Sequence, residues 1–208
     1  MARRIKEEPI VHQNRIAGEA SLLFSKQGIE KTTMDEIAKA AGYSKATLYV
    51  YFKNKEAIID FLALKSMELL KEWLTEALEM KGSSREKMFA MCFALVKYQR
   101  EHPVLFEMSL RNIGLDLDSE SHSYLSQAFV IGEEVNQMVG NYISKGIERG
   151  ELKKTDNMAE TILHIWGHTA GLIKLASEKE AYIQLVCKMS VNEFLKDGFE
   201  RVYQSISK

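Results

Sequence analysis

Residues Gly28–Leu62 read GIEKTTMDEIAKAAGYSKATLYVYFKNKEAIIDFL, and this stretch decides the fold. Its segment Thr33–Glu36 is a capping box, in which Thr33 can cap a new helix while Glu36 reaches back to the first amide. The helix that starts there is short and ends near Ala41. Gly42 then allows a sharp turn that a residue with a Cβ resists. The stretch therefore predicts a helix-turn-helix.

The helix that follows this turn has the residue pattern of a DNA reader. Ser44 is a suitable N-cap for a helix over Lys45–Phe52. Its inner side, with Leu48, can pack against Ile37 and Ala38 of the preceding helix. Its outer side presents Lys45, Ala46, Thr47, Tyr49 and Tyr51. Because such a helix fits the major groove, we predict double-stranded DNA as a partner.

This stretch resembles the TetR family of transcriptional regulators. The matching positions are Thr33, Ile37-Ala38, Ala41-Gly42, Ser44, Thr47-Leu48-Tyr49, Tyr51-Phe52 and Lys55-Glu56. Two residues depart from the family's usual pattern: Ala46 stands where glycine is common, and Tyr43 replaces a small aliphatic residue. The rest of the chain matches only as an all-helical body, with similar content at Trp166–Leu172.

The resemblance implies separate roles for the DNA-binding residues. Thr47, Tyr51 and Lys55 should contact phosphates, since a hydroxyl on a helix flank and a cation at a helix N-terminus can both reach the backbone. Lys45, Ala46 and Tyr49 should face base edges. With the two helix caps, the predicted set is Thr33, Ser44, Lys45, Ala46, Thr47, Tyr49, Tyr51 and Lys55.

Two alternatives stay open in this region. Tyr49 and Tyr51 could instead be half-buried packing aromatics. The basic N-terminal residues Arg3, Arg4 and Lys6 either form an arm that reaches a neighbouring minor groove or are simply a solvated terminus.

Helical periodicity dominates the whole chain, so we predict an all-α protein. A three-helix helix-turn-helix head at residues 1–55 should bind DNA, and residues 56–208 should form an effector-binding and dimerisation body. Further predicted boundaries are a cap at Asn54, capping boxes at Ser83–Glu86 and Ser190–Glu193, a short helix from Pro103 to near Gly114, and a polar loop at Asp116–Ser119. Ser177–Met189 stays open, as either a short helix or a loop.

The resemblance also implies an effector pocket in the body and a dimer formed through the last two helices. The predicted pocket residues are Met91, Phe106, Phe129, Met138, Tyr142 and Trp166, whose apolar side chains favour an apolar or amphipathic small molecule. The predicted interface residues are His164, Gly167, Gly171, Phe194, Phe199 and Val202, because the glycine spacing allows close approach and the last helix has a broad apolar face. The alternative is that these faces belong to the core of the monomer.

The charge distribution agrees with a DNA-binding head. Residues 1–56 hold ten Lys and Arg against seven Asp and Glu, a net charge of +3, whereas the whole chain has a net charge of −1. Activation instead of repression is an open alternative. A helical enzyme is a weaker one, because the sequence has no nucleophile elbow, phosphate loop or paired carboxylates. A third is an interaction module that has lost DNA binding, against which the intact DNA-binding residues argue.

The sequence gives little support for a catalytic, cofactor or metal site. We predict no catalytic residue, no cofactor and no metal, since His164 and His168 stand one turn apart without a nearby Cys or carboxylate on that face. Cys92 and Cys187 are expected to be buried, reduced thiols. No apolar run is long enough to span a bilayer, and no signal peptide is apparent, so we expect a bacterial protein of the cytoplasm.

Overall fold

The computed structural model describes residues 7–110 and 123–208, and the regular elements in these ranges are ten helices. The helices are α1 (Pro9–Gln27), α2 (Met34–Ala40), α3 (Lys45–Tyr51), α4 (Lys55–Glu79), α5 (Ser84–Glu101), α6 (Pro103–Ser109), α7 (Tyr124–Glu148), α8 (Met158–Glu178), α9 (Glu180–Cys187) and α10 (Val191–Ile206). An isolated β-bridge joins Leu152 to Ser207. The predicted all-α class is confirmed.

The predicted helix caps are present. At the start of α2 the Thr33 hydroxyl accepts from the Glu36 amide at 3.3 Å, and Glu36 accepts from the Thr33 amide at 2.8 Å. The boxes at Ser83–Glu86 and Ser190–Glu193 form the same reciprocal pair. Asn54 accepts from the Ala57 amide at 2.8 Å and caps α4. These local bonds satisfy amides that have no partner inside the helix, which is why short sequence signals fix the helix starts.

Some helix ends differ from the prediction. α3 stops at Tyr51, with Phe52 in extended backbone as its C-cap. α6 ends at Ser109, before the predicted Gly114. Gly114 and the predicted loop at Asp116–Ser119 lie outside the described residues. The open segment after Ser177 contains the short helix α9.

The chain forms two compact units. The first takes its described residues from Met1–Glu68 and His102–Phe129, so it holds α1 to α3, the first part of α4, α6 and the start of α7. Its core contains Ile16, Ala17, Ala20, Phe24, Ile37, Ala38, Ala41, Leu48, Phe52, Ile58, Phe61, Leu62 and Met108. Ser66 donates to the Leu105 carbonyl at 2.8 Å, and Phe61 packs edge-on against Tyr124. The compact unit around the helix-turn-helix thus extends beyond residues 1–55. The predicted boundary between a DNA-binding part at residues 1–55 and an effector-binding part at residues 56–208 stays a prediction.

The second unit comprises Leu69–Glu101 and Val130–Lys208. Its buried residues come mainly from α5, α8 and α10, with further ones from α4 and α7, and include Met88, Leu95, Ile143, Ile173 and Phe199. Gly198 of α10 lies so close to α8 that an added Cβ would stand 2.8 Å from Leu172 Cδ1. Within the described ranges, no helix combines the length and apolarity that crossing a membrane requires.

Candidate nucleic-acid interface

The turn between α2 and α3 is built by Gly42 and its neighbours. Gly42 has a φ of 75°, a left-handed conformation that glycine adopts without a steric penalty. This conformation lets the Tyr43 amide donate back to the Ala38 carbonyl at 2.9 Å. Ile37 and Leu48 are fully buried on either side of the turn. The turn and this apolar contact together fix the angle at which α3 is presented.

The outer face of α3 is exposed along its length. Lys45, Ala46 and Tyr49 all reach solvent, and Tyr49 is 44% exposed. Val50 is 77% exposed, and our sequence analysis missed it. The signal was available, because Val50 lies two positions after the buried Leu48 and so faces away from the core on a helix. An exposed valine on such a face can contact the methyl group of a thymine.

Lys45 is paired within the head. Its ammonium lies 2.8 Å from Asp35 of α2, and the hydrogen bond to that carboxylate raises the Lys45 pKa. Both side chains are more than half exposed, so this pair contributes little stability. A phosphate or a base edge can therefore replace Asp35 at low cost.

The two capping hydroxyls and Thr47 also have local partners. The Thr33 hydroxyl donates to Glu36 at 2.8 Å, and hydrogen bonds from the Thr33 amide and hydroxyl lower the Glu36 pKa. Ser44 accepts from the Thr47 amide at 3.1 Å, and the hydroxyls of Ser44 and Thr47 lie 2.8 Å apart. These residues fix the starts of α2 and α3.

Lys55 has an arrangement that its place in the sequence did not suggest. Its ammonium donates to the Ile29 carbonyl at 2.7 Å, the Thr32 carbonyl at 3.1 Å and the Glu30 carbonyl at 3.5 Å. An ammonium has three donors, so all three face the loop between α1 and α2. A phosphate contact would require Lys55 to release at least one of these carbonyls.

Tyr51 belongs to an aromatic cluster with α1. Its ring stacks on His12 with centroids 5.0 Å apart, and His12 meets Tyr43 edge-on at 5.7 Å. The Tyr43 hydroxyl lies 2.6 Å from His12 Nδ1 and accepts from Arg15 at 3.1 Å. Glu7 lies 3.8 Å from both His12 and Arg15. Tyr51 is therefore held partly by packing, as the alternative interpretation of this residue expected. Sequence spacing gave no signal for His12, because α1 and α3 are distant in the chain.

Arg3, Arg4 and Lys6, the predicted minor-groove arm, lie outside the described residues. Along the described chain, the first arginine or lysine is Arg15 of α1.

The predicted pocket residues are distributed over both compact units. Phe106 and Phe129 lie in the first compact unit, and Met91 and Trp166 line neither of the two cavities described here. Met138 and Tyr142 line a cavity of about 90 Å³ beside α7. A second cavity of about 190 Å³ lies between α5, α8 and α10 and contains none of the predicted residues.

The predicted dimer residues separate into two groups. Phe199 and Val202 are buried inside the chain, so their assignment to an interface between subunits is corrected. The last helix makes its close approach to α8 at Gly198, within one chain. Gly167 and Gly171 instead have nothing near the position of an added Cβ. His164 is exposed beside them, and Phe194 is half-buried.

Two histidines of α8 and the two cysteines are the other side chains that the sequence analysis weighed as possible site residues. The rings of His164 and His168 lie 6.2 Å apart, but the described residues contain no group of three or more His, Cys, Asp or Glu that could hold a metal. Both cysteines are free. Cys92 is buried as predicted, and burial raises its pKa to about 12. Cys187 is exposed, so the expectation that it is buried was wrong.

Comparisons with known proteins agree with this geometry. The family model described as "Bacterial regulatory proteins, tetR family" matches residues 17–61. The chain is 27% identical over 139 residues to the uncharacterized HTH-type transcriptional regulator YhgD of Bacillus subtilis, covering 66% of this chain and 70% of that protein. It is 30% identical over 110 residues to the probable acrEF/envCD operon repressor of Escherichia coli, covering half of each.

The fold is also found in solved structures. The transcriptional regulator FadR from Bacillus subtilis, in complex with stearoyl-CoA, matches with a TM-score of 0.67 and 20% identity. The match covers 91% of this chain and 96% of that chain. The similarity therefore extends through both compact units.

Proposed function

Because this chain belongs to the TetR family of bacterial transcriptional regulators, we propose that it represses transcription by occupying an operator, and that a small molecule releases it. Family membership makes it a DNA-binding regulator and not an enzyme. Repression is supported by relatives such as the operon repressor of Escherichia coli. Because a DNA operator is the partner we propose, we also propose that the protein acts in the bacterial cytoplasm.

The observation that carries the proposal is the exposed outer face of α3. Lys45, Ala46 and Tyr49 face base edges in the major groove, with Val50 beside them. Thr47 and Tyr51 contact phosphates from the flanks of the helix. Lys55 holds the loop between α1 and α2, and through it the position of the head.

We further propose a homodimer, with its contact centred on α8. Leu163, Gly167, Gly171 and Leu175 follow one another at intervals of four residues, and all are exposed. Residues at this spacing share one helix face. α9 adds the exposed Tyr182, Leu185 and Val186. An apolar surface of this extent is typical of an interaction site.

The effector proposal rests on similarity and on cavities of the second unit. FadR from Bacillus subtilis was solved with stearoyl-CoA, which supports an amphipathic ligand for this chain as well. A ligand releases DNA only if it binds the DNA-free conformation more tightly.

In vitro transcription from a promoter that the purified protein binds would test repression. We expect less transcript with added protein, and recovery with the effector. An increase in transcript would identify an activator and overturn the repressor assignment.

Light scattering would test the dimer. We expect the mass of a dimer at micromolar concentration, and a shift toward monomer for Gly171→Leu, because a bulky side chain would separate two closely packed helices. A monomer mass for the unaltered protein would refute the dimer. Gly18→Leu, at an α1 glycine that likewise has open space around it, is the matched control.

A further inference from the structure

The cavity beside α7 has a lining with one sign of charge. It lies between the end of α4, the start of α5 and one face of α7, all within the second compact unit. Lys87, Lys145 and Arg149 line it, together with the amide of Asn141 and no carboxylate. We call this cavity the basic notch. Cations gathered around a concave surface attract anions and raise their local concentration.

Helix spacing brings two of these cations together. Asn141, Lys145 and Arg149 follow one another at intervals of four residues and share one face of α7 and its final turn. Like charges at this spacing destabilise a helix. A bound anion between them would remove that penalty.

Two of the cations are held in place by the protein. Lys87 donates to the Leu78 carbonyl at the end of α4 at 2.5 Å. Arg149 donates to the Ser84 hydroxyl at 3.0 Å and lies 2.9 Å from Glu151. The notch therefore does not have to assemble its walls when a ligand arrives, which lowers the cost of binding.

The charge that is not offset in the notch belongs to Lys87, whose ammonium is bound to a neutral carbonyl, and to Lys145. Glu151 offsets the charge of Arg149 from outside the lining. Lys145 is exposed and forms no ion pair with any residue in the described ranges. It is the cation most available to an incoming anion.

The uncharged lining residues and the volume of the basic notch indicate the nature and the size of its ligand. Leu78 and Met138 give the notch an apolar side, and the buried Tyr142 donates to the Ser84 carbonyl at 2.7 Å behind it. A volume of about 90 Å³ fits one carboxylate or phosphate group, whereas whole drug-sized ligands need roughly 300 Å³ or more. We propose that the basic notch binds the anionic headgroup, a carboxylate or a phosphate, of a small amphipathic molecule. The assignment of the basic notch as the effector site rests on the proposed function, whereas the binding of an anion there does not.

Calorimetry on the full-length protein without DNA would test this site. Octanoate, octyl phosphate and 1-octanol share a chain length and differ in headgroup. We expect one or both anions to bind more tightly than octanol, and the tighter anion identifies the headgroup. Equal binding of octanol and the anions, or no binding of either anion, would overturn the proposal.

Substitutions at Lys145 would place the binding in the notch. Lys145→Gln should weaken anion binding by about tenfold, the effect of one charged hydrogen bond, and leave octanol unaffected. Lys145→Arg should keep the binding. Lys196→Gln, at an exposed lysine of α10, is the matched control. Undiminished anion binding by a folded Lys145→Gln protein would refute the notch as the site.

A gel shift with bound promoter DNA separates this inference from the proposed function. If the anion binds the notch and the operator complex persists, the site stands and its role as the effector site fails. If other compounds release the operator while neither anion binds, the notch fails and the proposed function stands.

Discussion

Replacing Lys55 by Met removes one ammonium and keeps the side-chain stem. In the structure this ammonium donates to the carbonyls of Ile29, Glu30 and Thr32, which connect α1 to the helix-turn-helix. We therefore expect Lys55→Met to loosen this loop. The direct effect should fall on the stability of the head, and only a smaller one on the charge facing DNA.

The expected loss of stability follows from the two short hydrogen bonds and the one long hydrogen bond of the Lys55 ammonium. A hydrogen bond to a charged group contributes about 1.5–3 kcal/mol. Lys55 is half-buried, so water can replace part of each bond, and we expect a loss of about 1–2 kcal/mol in the free energy of unfolding. For a chain of this length, that loss corresponds to a fall in Tm of roughly 2–8 °C.

Thermal melting and the salt dependence of operator binding test this expectation together. Each phosphate contact contributes about 0.9 to the slope of log K against log salt. Lys55→Met should change the slope by less than about half of one contact per subunit. Lys45→Met removes an exposed cation whose charge can serve a phosphate as well as a base edge, so it should lower the slope by up to about 0.9. An unchanged Tm with a slope lowered by about 0.9 for Lys55→Met would refute the reasoning and make Lys55 a phosphate ligand.

The other predictions concern base reading, packing and thiol reactivity. Tyr49→Ala should cost about 1–3 kcal/mol on operator DNA and little on random DNA, in gel shifts with both; equal losses on the two would remove its base-reading role. Gly146→Ala should lower stability by about 1–3 kcal/mol in denaturant melts, because the added Cβ would lie 2.5 Å from a leucine methyl; the open site Gly18→Ala should not. A thiol reagent at pH 8 should modify Cys187 quickly and leave Cys92 unmodified until the protein is unfolded, since Cys92 is buried with a pKa of about 12; two reactive thiols in the native protein would contradict this.

The helix-turn-helix and the start of α10 were predictable because their signals are local. Thr33 and Glu36 lie three residues apart, and so do Ser190 and Glu193. Each pair forms the hydrogen bonds that start its helix, α2 or α10, within four consecutive residues. The turn at Gly42 is equally local. Helical periodicity then placed Leu48 inside and Tyr49 outside.

The contacts that sequence reasoning missed are long-range. His12 meets Tyr51 and Tyr43 across more than thirty residues, and Lys55 meets the Ile29 carbonyl across 26. The helical periodicity of a sequence does not predict contacts between residues so far apart in the chain. They depend on how α1 crosses the helix-turn-helix.

The dimer prediction failed in part for a related reason. An apolar face on α10 and glycines on α8 both indicate close helix packing, but not which helices pack together. Gly198 lies against Leu172 of α8, and Phe199 packs edge-on against Phe93 of α5, both within the chain. The exposed face of α8 is the surface that we propose for the partner. For the pocket, aromatic and Met residues indicated apolar packing, and three of the six predicted residues, Met91, Phe106 and Tyr142, are buried core side chains.

The most direct test of the central claim is to sequence the genomic fragments that the purified protein binds. A dimer that reads DNA through two copies of α3 should enrich a two-fold symmetric motif, with half-site centres about one helical turn, roughly 34 Å, apart. The Tyr49→Ala protein should lose that enrichment while keeping nonspecific binding. Fragments without a shared motif, or the same motif recovered with Tyr49→Ala, would contradict sequence reading by the exposed face of α3.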